Sequence, residues 1–258
     1  MQYDNKFALY YDKIFSRKSY VDEVNFIFDS LTKYTSMDIK RVFDYGCGTG
    51  THAALLSKVL HDIDIIGYDC ATDMISLAKG KSANLDNCFF TEDLDEVLNS
   101  ATEYGLVISM FYVVNHILSL DSLLQYFKNI ASKTSKDGLF IFDCWNGLAA
   151  SHDPPSFSRR MRYDSDHQRI VTVCDPTTDV LNASVVMKNT VEVYKSDVLQ
   201  DEFSYTLEHR LWTPHILKEL AEQCGFQVLN VSKTYDLNRE ATANDYKIVF
   251  VCKYRGEG

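Results

Sequence analysis

Paired cysteines, long apolar runs and an excess of basic residues are all missing from this sequence. Seven cysteines are scattered between Cys47 and Cys252 without a C-x-x-C pair, which argues against a disulfide framework and against a zinc site. We therefore expect reduced cysteines and no metal. No apolar run is long enough to span a bilayer, and the polar start from Met1 to Lys6 lacks the features of a signal peptide. The resulting expectation is a cytoplasmic protein that does not engage a membrane.

The charge balance narrows the range of partners. The chain has 26 basic and 36 acidic residues, for a net charge of −10, and shows no long basic stripe. Because nucleic-acid binding depends on positive surface charge, a nucleic-acid partner is disfavoured. With 258 residues and 46% hydrophobic content, the chain can form one large α/β domain with an insertion.

A glycine-rich turn between a predicted strand and a predicted helix is the most informative feature present. Gly46, Gly48 and Gly50 follow an apolar run that includes Asp44. Glycines permit positive φ and a close approach of the backbone to a ligand, which the free amides of the next helix would face. A dinucleotide fingerprint counted from Gly46 would need glycine at position 51, where the sequence has Thr51. The carboxylate of Asp44 also suits a cationic amino-acid group better than a pyrophosphate.

The motif Asp44-x-Gly46-x-Gly48-x-Gly50 resembles the first motif of the class I S-adenosylmethionine (SAM) dependent methyltransferases, over roughly residues 5 to 255. This resemblance implies an α/β fold with a Rossmann-like seven-stranded methyltransferase sheet, and SAM as cofactor. Base-modifying members usually carry an Asn/Asp-Pro-Pro-aromatic segment at the fourth strand. Here that place reads Val107 to Tyr112 without proline, which argues against a flipped-base substrate.

Apolar runs and helical patterns alternate as expected for a doubly wound sheet. The predicted strands span 41–45, 64–68, 87–91, 106–110 and 139–143. The predicted helices span 51–61, 71–79, 94–99 and 121–134. A last helix is expected after Thr213 as N-cap and Pro214 as its first residue, with Gly225 at its end, followed by a closing antiparallel pair over 228–232 and 247–253.

The pattern changes after residue 143. Residues 145–165 show no helical period, and then 169–174, 181–193 and 202–210 alternate apolar and polar residues. This alternation predicts an antiparallel sheet exposed on one face. We therefore predict a SAM-binding core with an N-terminal lid over 1–144, an insertion over 145–210 that covers the acceptor site, and a return to the core over 211–258.

Several residues are candidates for contact with the cofactor. Asp69 ends the second strand, at the place where a carboxylate bonds ribose hydroxyls in nucleoside-binding folds. The resemblance places Asp93 near the adenine amino group and Leu94 against the ring, although an acidic residue there could instead cap the following helix. The remaining candidates implied by the resemblance are Cys47, Cys70, Met74 and Met110, together with Tyr11 and Tyr20 as lid residues.

Methyl transfer from a sulfonium is an in-line displacement, so the protein must mainly align the reactants and exclude water. His116, close to the end of the fourth strand, is the candidate catalytic base because imidazole titrates near working pH. The alternative is a helix-capping or core histidine.

Two further resemblances concern the acceptor. Tyr11-Asp12, Lys18-Ser19-Tyr20, Met110-Phe111 and His116 resemble the pattern of sugar N-methyltransferases that act on nucleotide-linked amino sugars. The segment from Phe142 to Arg210 resembles methyltransferases of polysaccharide and nucleotide-sugar pathways. Asn115 stands where that pattern has glycine, and an aromatic hydroxyl expected near Phe15 is absent, which leaves the acceptor open.

Arg159, Arg160 and Arg162 form the tightest basic group in this acidic chain. Guanidinium groups bind phosphates with paired hydrogen bonds, so this group could hold a nucleotide diphosphate, with His209 adding to the pocket. A solvated loop is the alternative. The expected activity is methyl transfer to a small molecule; an O-methyltransferase of a sugar or small metabolite, or an inactive SAM-binding partner protein, are the rivals. The sequence allows a homodimer but leaves the oligomeric state open.

Overall fold

A computed structural model describes residues 5–165 and 168–256 of the chain. Helices and strands alternate through the first half, and strands dominate the second. In chain order the elements are α1 (Asn5–Ile14), α2 (Tyr20–Tyr34), β1 (Arg41–Tyr45), α3 (Thr51–Val59), β2 (Asp64–Tyr68), α4 (Thr72–Lys81), β3 (Cys88–Thr91), α5 (Leu94–Asn99), β4 (Tyr104–Ser109), a 3-10 turn (Val113–His116), α6 (Leu120–Lys133), β5 (Thr134–Trp145), α7 (Gly147–His152), β6 (Arg159–Ser165), β7 (Gln168–Asp179), β8 (Ser184–Lys195), β9 (Val198–Arg210), α8 (Pro214–Gln223), β10 (Phe226–Lys233) and β11 (Lys247–Tyr254).

Seven strands form the central sheet in the order β10-β11-β5-β4-β1-β2-β3. Strands β1 to β5 run parallel, and β11 pairs antiparallel with both β5 and β10. The predicted Rossmann-like seven-stranded sheet is confirmed. The chain moves outward from β1 to β3 and then crosses back to β4, so a crevice opens between β1 and β4 at their carboxyl ends, where open α/β sheets bind ligands.

The central strands are apolar because helices cover both faces of the sheet. Every residue of β4 is buried. One face carries an aromatic layer in which Phe142 stacks on Phe250 with ring centroids 4.7 Å apart, and the other carries aliphatic residues such as Leu106 and Ile141. This packing fixes the carboxyl ends of the strands rigidly, which is what a binding site at that edge requires.

Thr213 and Gly225 bound α8 as the sequence predicts. The Thr213 hydroxyl accepts a hydrogen bond from the Ile216 amide, and Gly225 takes a φ of +84° after the helix. None of the helices within residues 5–165 and 168–256 is both long enough and apolar enough to cross a membrane.

The second sheet is antiparallel, with the order β6-β7-β8-β9. Its inner face is the one against which α1 packs: Phe7 and Ile14 share an apolar cluster with Ile170, Val191 and Phe203. Strand pairing places Arg159, Met161, Tyr163, Asn189 and His209 on that inner face. The outer face carries the alternate residues, among them Arg160, Arg162, Val171 and Glu192. The insertion thus lies over α1, the helix predicted to be a lid.

Residues 145–165, in which the sequence shows no helical period, include the short helix α7 and the strand β6. In β6 the apolar Met161 and Tyr163 alternate with charged residues, which is the period of a strand. Charges at Arg160, Arg162 and Asp164 obscured that alternation, because a strand with one solvent-facing side tolerates them.

Candidate active site

The glycine turn joins β1 to α3 beneath the crevice. Gly46 has a φ of +83°, and a Cβ there would lie 2.5 Å from the side chain of Val113. Gly48 has a φ of +54° and open space where a Cβ would lie. The amides of Gly46 and Cys47 both donate to the Tyr68 carbonyl, which fixes the turn to the end of β2. Gly50 precedes α3 as its left-handed N-cap residue. Only the Gly48 position therefore leaves room for a ligand at the backbone.

Asp44, at the end of β1, is 1% exposed, and within the described residues neither carboxylate oxygen has a hydrogen-bond partner. Burial, aided by the negative charge of Asp69, raises the pKa of Asp44 to about 7, while the Lys18 ammonium opposes the shift. A buried carboxylate without a partner is costly. An ammonium group such as that of the SAM amino-acid end would satisfy it, so this residue fits the expected cofactor.

Asp69 ties the glycine turn to α4. One carboxylate oxygen accepts the Gly48 amide at 2.9 Å and the other accepts the Ala71 amide at 3.0 Å. Burial raises its pKa, although these two hydrogen bonds oppose the shift. Each oxygen keeps a further lone pair that a ribose hydroxyl could use. The predicted ribose contact is compatible with this geometry.

Asp93 caps α5, as the alternative interpretation allowed. Its Oδ1 accepts hydrogen bonds from the amides of Asp95 and Glu96, and Leu94 is the first residue of the helix. Both bonds end on the same oxygen, which leaves Oδ2 out of the cap. Contact of Asp93 and Leu94 with an adenine ring stays a prediction.

The remaining cofactor candidates differ in burial. Cys47 and Met110 are buried in the aliphatic core, and Cys70 is exposed at the end of β2. Met74 is buried beneath α1, in the cluster that contains Phe7. The packing of Met74 is that of a core residue, and its contact with the cofactor stays a prediction.

The lid helix α1 is fastened to the glycine turn. Asp12 accepts a hydrogen bond from the Thr49 hydroxyl at 2.6 Å and pairs with the Lys81 ammonium at 2.7 Å. The Tyr11 ring meets Phe111 edge-on, with centroids 6.3 Å apart. The lid therefore reaches the carboxyl ends of both β1 and β4, consistent with the placement predicted for Tyr11.

A buried ionic network, which sequence reasoning missed, lies at the start of α2. Glu23 accepts hydrogen bonds from the Lys18 ammonium and from His52 Nε2, the latter at 2.6 Å. Burial raises the pKa of Glu23, but the bonds from His52 and Lys18 outweigh it and the net shift is downward. The Tyr20 ring lies 3.6 Å from the Lys18 nitrogen and 5.1 Å from the His52 ring. The available signal was the position of His52 directly after the glycine turn.

His116 and His209 come together although 93 positions separate them in the sequence. Their ring centroids lie 4.4 Å apart, and the Trp145 ring lies 5.0 Å from His209. Burial lowers the pKa of His116 to about 4, against the opposing effect of a hydrogen bond to the Glu208 backbone, and burial and His116 together lower that of His209. The expectation that His116 titrates near working pH is wrong, because the imidazole is desolvated and stays neutral at pH 7.

Unpartnered polar atoms concentrate around this histidine pair. His116 Nδ1, both ring nitrogens of His209 and Trp145 Nε1 are buried and have no partner among the described residues. Buried polar groups are normally hydrogen-bonded. The set combines neutral donors and acceptors with aromatic faces, which suits a polar, uncharged part of an acceptor.

The arginine group does not form one pocket, contrary to the sequence-based expectation. Arg160 and Arg162 lie on the outer face, where they pair with Glu192 and Asp164. Arg159 lies on the inner face, close enough to act on the pKa of Tyr246. The reason is the two-residue period of β6, which sends adjacent side chains to opposite faces. His209 shares the inner face with Arg159.

Comparison with known proteins identifies the class. The chain belongs to the methyltransferase domain family, which matches residues 13–231. A curated relative from Geobacillus sp. (strain WCH70), named as a methyltransferase, is 27% identical over 255 residues, covering 97% of this chain and 98% of the relative. The protein is thus a SAM-dependent methyltransferase, with SAM as its cofactor.

Two solved structures share the fold over nearly the whole chain. A SAM-dependent methyltransferase from Clostridium acetobutylicum ATCC 824 superposes with a TM-score of 0.81 at 21% identity, covering 98% of this chain and 99% of that one. The sugar N-methyltransferase KedS8 from Streptoalloteichus sp. ATCC 53650 superposes with a TM-score of 0.77 at 14% identity, covering 97% and 93%. Both include the second sheet within the shared length.

Proposed function

We propose that this methyltransferase acts on the amino group of a nucleotide-linked sugar, held between the lid helix α1, the 3-10 turn and the inner face of the second sheet. The observation that carries the proposal is the cluster of His116, His209 and Trp145, where the 3-10 turn after β4 meets the second sheet. Its unpartnered polar atoms suit sugar hydroxyls. The solved neighbour KedS8, named as a sugar N-methyltransferase, supports the same acceptor class.

The cofactor would lie along the carboxyl edge of β1 and β2. Asp44 would hold the ammonium of its amino-acid end, Gly48 would allow close backbone approach, and Asp69 would hold the ribose. SAM supplies an activated methyl group on a sulfonium. The protein's own contribution is to orient the acceptor nitrogen toward that group and to exclude water with α1.

His116 would orient the acceptor. A neutral imidazole presents a lone pair at pH 7, and its depressed pKa, about 4, keeps that lone pair available to accept a hydrogen bond from the acceptor nitrogen while making it a weak base. The same neutral imidazole would accept a hydrogen bond from a hydroxyl acceptor. This observation keeps an O-methyltransferase of a sugar or small metabolite as the second candidate.

A methyl-transfer screen tests the proposal. Nucleotide-linked amino sugars, the corresponding neutral sugars and the free sugars would be incubated with SAM, and formation of the demethylated cofactor would be measured. We expect turnover with the amino sugars, and its loss in His116→Asn. His215→Asn is the matched control, because His215 is exposed on α8.

Each outcome of the screen is informative. Turnover with neutral sugars alone would replace the N-acceptor by an O-acceptor. SAM binding by calorimetry without turnover on any sugar would refute the sugar proposal and return the protein to the inactive-partner alternative or to another class of small molecule.

A further inference from the structure

Two successive aromatic residues after β4 adopt a backbone conformation that such residues rarely take. Phe111 has a φ of +71° and Tyr112 a φ of +65°. Left-handed backbone is uncommon for any residue with a side chain and is an outlier for bulky ones. Strain of this kind persists only where the surroundings hold it in place, and it concentrates at functional sites.

The group that holds this turn is Asp143, near the end of β5. Its Oδ1 accepts the Tyr112 amide at 2.8 Å, and its Oδ2 accepts the Tyr235 hydroxyl at 2.6 Å. The carboxylate is buried, with 1% exposure. Both bonds are charge-assisted when Asp143 is ionised, which makes them strong enough to oppose backbone strain.

The strained turn lies between the two halves of the site. Phe111 faces the lid, with its ring 5.0 Å from Phe15 and 4.7 Å from the Lys18 ammonium. The Tyr112 ring lies 5.3 Å from the Phe111 ring, 6.2 Å from the Trp145 ring and 5.4 Å from the Lys247 ammonium. Since the two residues are adjacent and their rings are in contact, a change of φ at either position would move both rings.

Val113 extends the influence of the turn to the cofactor loop. Its side chain occupies the space where a Cβ of Gly46 would lie. A turn relaxed at residues 111 and 112 would therefore shift Val113 against the glycine turn. The position of this segment is coupled to the shape of the crevice between β1 and β4.

We propose that Asp143 is a positioning residue for methyl transfer, whose carboxylate holds Phe111 and Tyr112 in the left-handed turn and thereby sets the Tyr112 ring as the wall of the acceptor site. This inference rests on the proposed function for the acceptor's location beside Trp145. The hold on the turn itself is a property of the unliganded protein and is testable without any acceptor.

A double-mutant cycle tests the hold. Glycine adopts positive φ without strain, so Tyr112→Gly removes the need for a restraint at that residue. We expect Asp143→Ala to lower the urea midpoint in both backgrounds, and by less in the wild-type background than in the Tyr112→Gly background, because relaxation of the strained turn offsets part of the lost hydrogen bonds in the wild type. Equal losses in the two backgrounds would overturn the proposal, since Asp143 would then act independently of the turn.

Turnover supplies the second readout, with a nucleotide-linked amino sugar as acceptor. Asp143→Ala should reduce kcat/KM for the acceptor by about tenfold to a hundredfold, because misplacement by about 1 Å has effects of that size. Its calorimetric Kd for SAM should stay within about threefold, since Asp44 and Asp69 remain. Asp143→Asn keeps an oxygen for the Tyr112 amide and should recover most of the lost activity. An Asn variant as impaired as Ala would overturn the role of this hydrogen bond.

Tyr235→Phe removes only the hydrogen bond from the Tyr235 hydroxyl to Asp143. This milder change keeps the proposal testable if the Asp143→Ala variant does not fold. It should reduce acceptor kcat/KM by a smaller factor than Asp143→Ala. Tyr194→Phe on the outer face is its control, since the Tyr194 hydroxyl donates to Glu192, away from Asp143. Failure of all sugars to react, with an intact coupling in urea, would refute the proposed acceptor and not the hold. Wild-type kinetics in Tyr235→Phe and Asp143→Ala together would refute the positioning role.

Discussion

The two halves of the site are built in opposite ways. The proposed cofactor half is local: Asp44, Gly46 and Gly48 belong to one strand and the turn that follows it, and Asp69 directly follows the neighbouring strand. The proposed acceptor half is assembled from distant segments, with His116 on the 3-10 turn and His209 on the second sheet. A local motif keeps its geometry through backbone rules, whereas an assembled site depends on how two sheets pack.

Their electrostatics differ as well. The cofactor half contains the carboxylate of Asp44, and burial raises the pKa of this group to about 7. In its ionised form this carboxylate fits a cation. The acceptor half contains two imidazoles whose pKa values burial lowers, so it is uncharged at pH 7. One half is thus prepared for charge recognition and the other for hydrogen bonds to neutral groups.

The largest expected effect lies in the cofactor half, at Asp44. Asp44→Asn should weaken SAM binding about a hundredfold, because leaving one partner of a buried charged pair unmatched costs about 2–5 kcal/mol. Calorimetry with SAM measures this, and Asp38→Asn, at an exposed site, is the control. Unchanged affinity would show that the ammonium of SAM binds elsewhere.

The protonation of Asp44 should make both the stability and the SAM affinity of the protein depend on pH. Its folded pKa, about 7, lies above the ordinary value of 3.8, so the folded protein retains a proton that the unfolded chain releases. Asp44 therefore reduces the stability of the unliganded protein as the pH rises from about 4 through about 7. Over the same interval SAM affinity should rise, because the ionised carboxylate is the form that binds an ammonium.

Two measurements check these opposite trends. The Asp44→Asn variant should unfold at higher urea than the wild type at pH 8, with a smaller difference at pH 5, and its weak SAM affinity should lose the rise near pH 7. A wild-type SAM affinity that is flat from pH 5 to pH 8 would contradict the assignment.

The glycine turn and the place of Asp69 beside it could be predicted because their signals are contiguous. The spacing of the three glycines and the carboxylate at Asp69 required only the order of strand, turn and helix. The role of Asp93 was ambiguous, since an acidic residue before a helix serves as a cap in any protein. The network of Lys18, Glu23 and His52 could not be predicted from the sequence, because these contacts depend on how α2 packs on α3.

The second expected effect concerns the histidine pair in the acceptor half. His116→Asn should lower turnover by about a hundredfold, because loss of the hydrogen bond from the acceptor would misplace the acceptor, while SAM affinity stays unchanged. Burial holds the pKa of His116 near 4. Wild-type turnover should therefore fall as the pH drops through about 4, not through about 6.5, and the variant should lack this fall. Stopped assays between pH 4 and pH 8 would show this. A lost limb near pH 6.5 would mean that the imidazole is solvated in the working enzyme.

The acceptor half could not be predicted in full because its geometry is decided by strand register. Arg159, Arg160 and Arg162 are neighbours in the sequence, yet β6 divides them between two faces. His209 was expected beside the arginines and instead lies against His116. Both errors come from not recognising β6 as a strand, in which neighbouring side chains point to opposite faces.

The smallest expected effect tests that division of faces. Arg159→Gln should raise the acceptor KM by about threefold to tenfold and reduce its salt dependence, because one guanidinium–phosphate bond would be lost. The double change Arg160→Gln and Arg162→Gln should leave KM within about twofold, since exposed pairs such as theirs with Glu192 and Asp164 contribute little. The two variants alter the same strand and the same residue type, so a nonspecific loss of charge would affect the double variant more. If the double variant raises KM and Arg159→Gln does not, the outer face binds the acceptor, and the inner-face site around His116 would have to be abandoned.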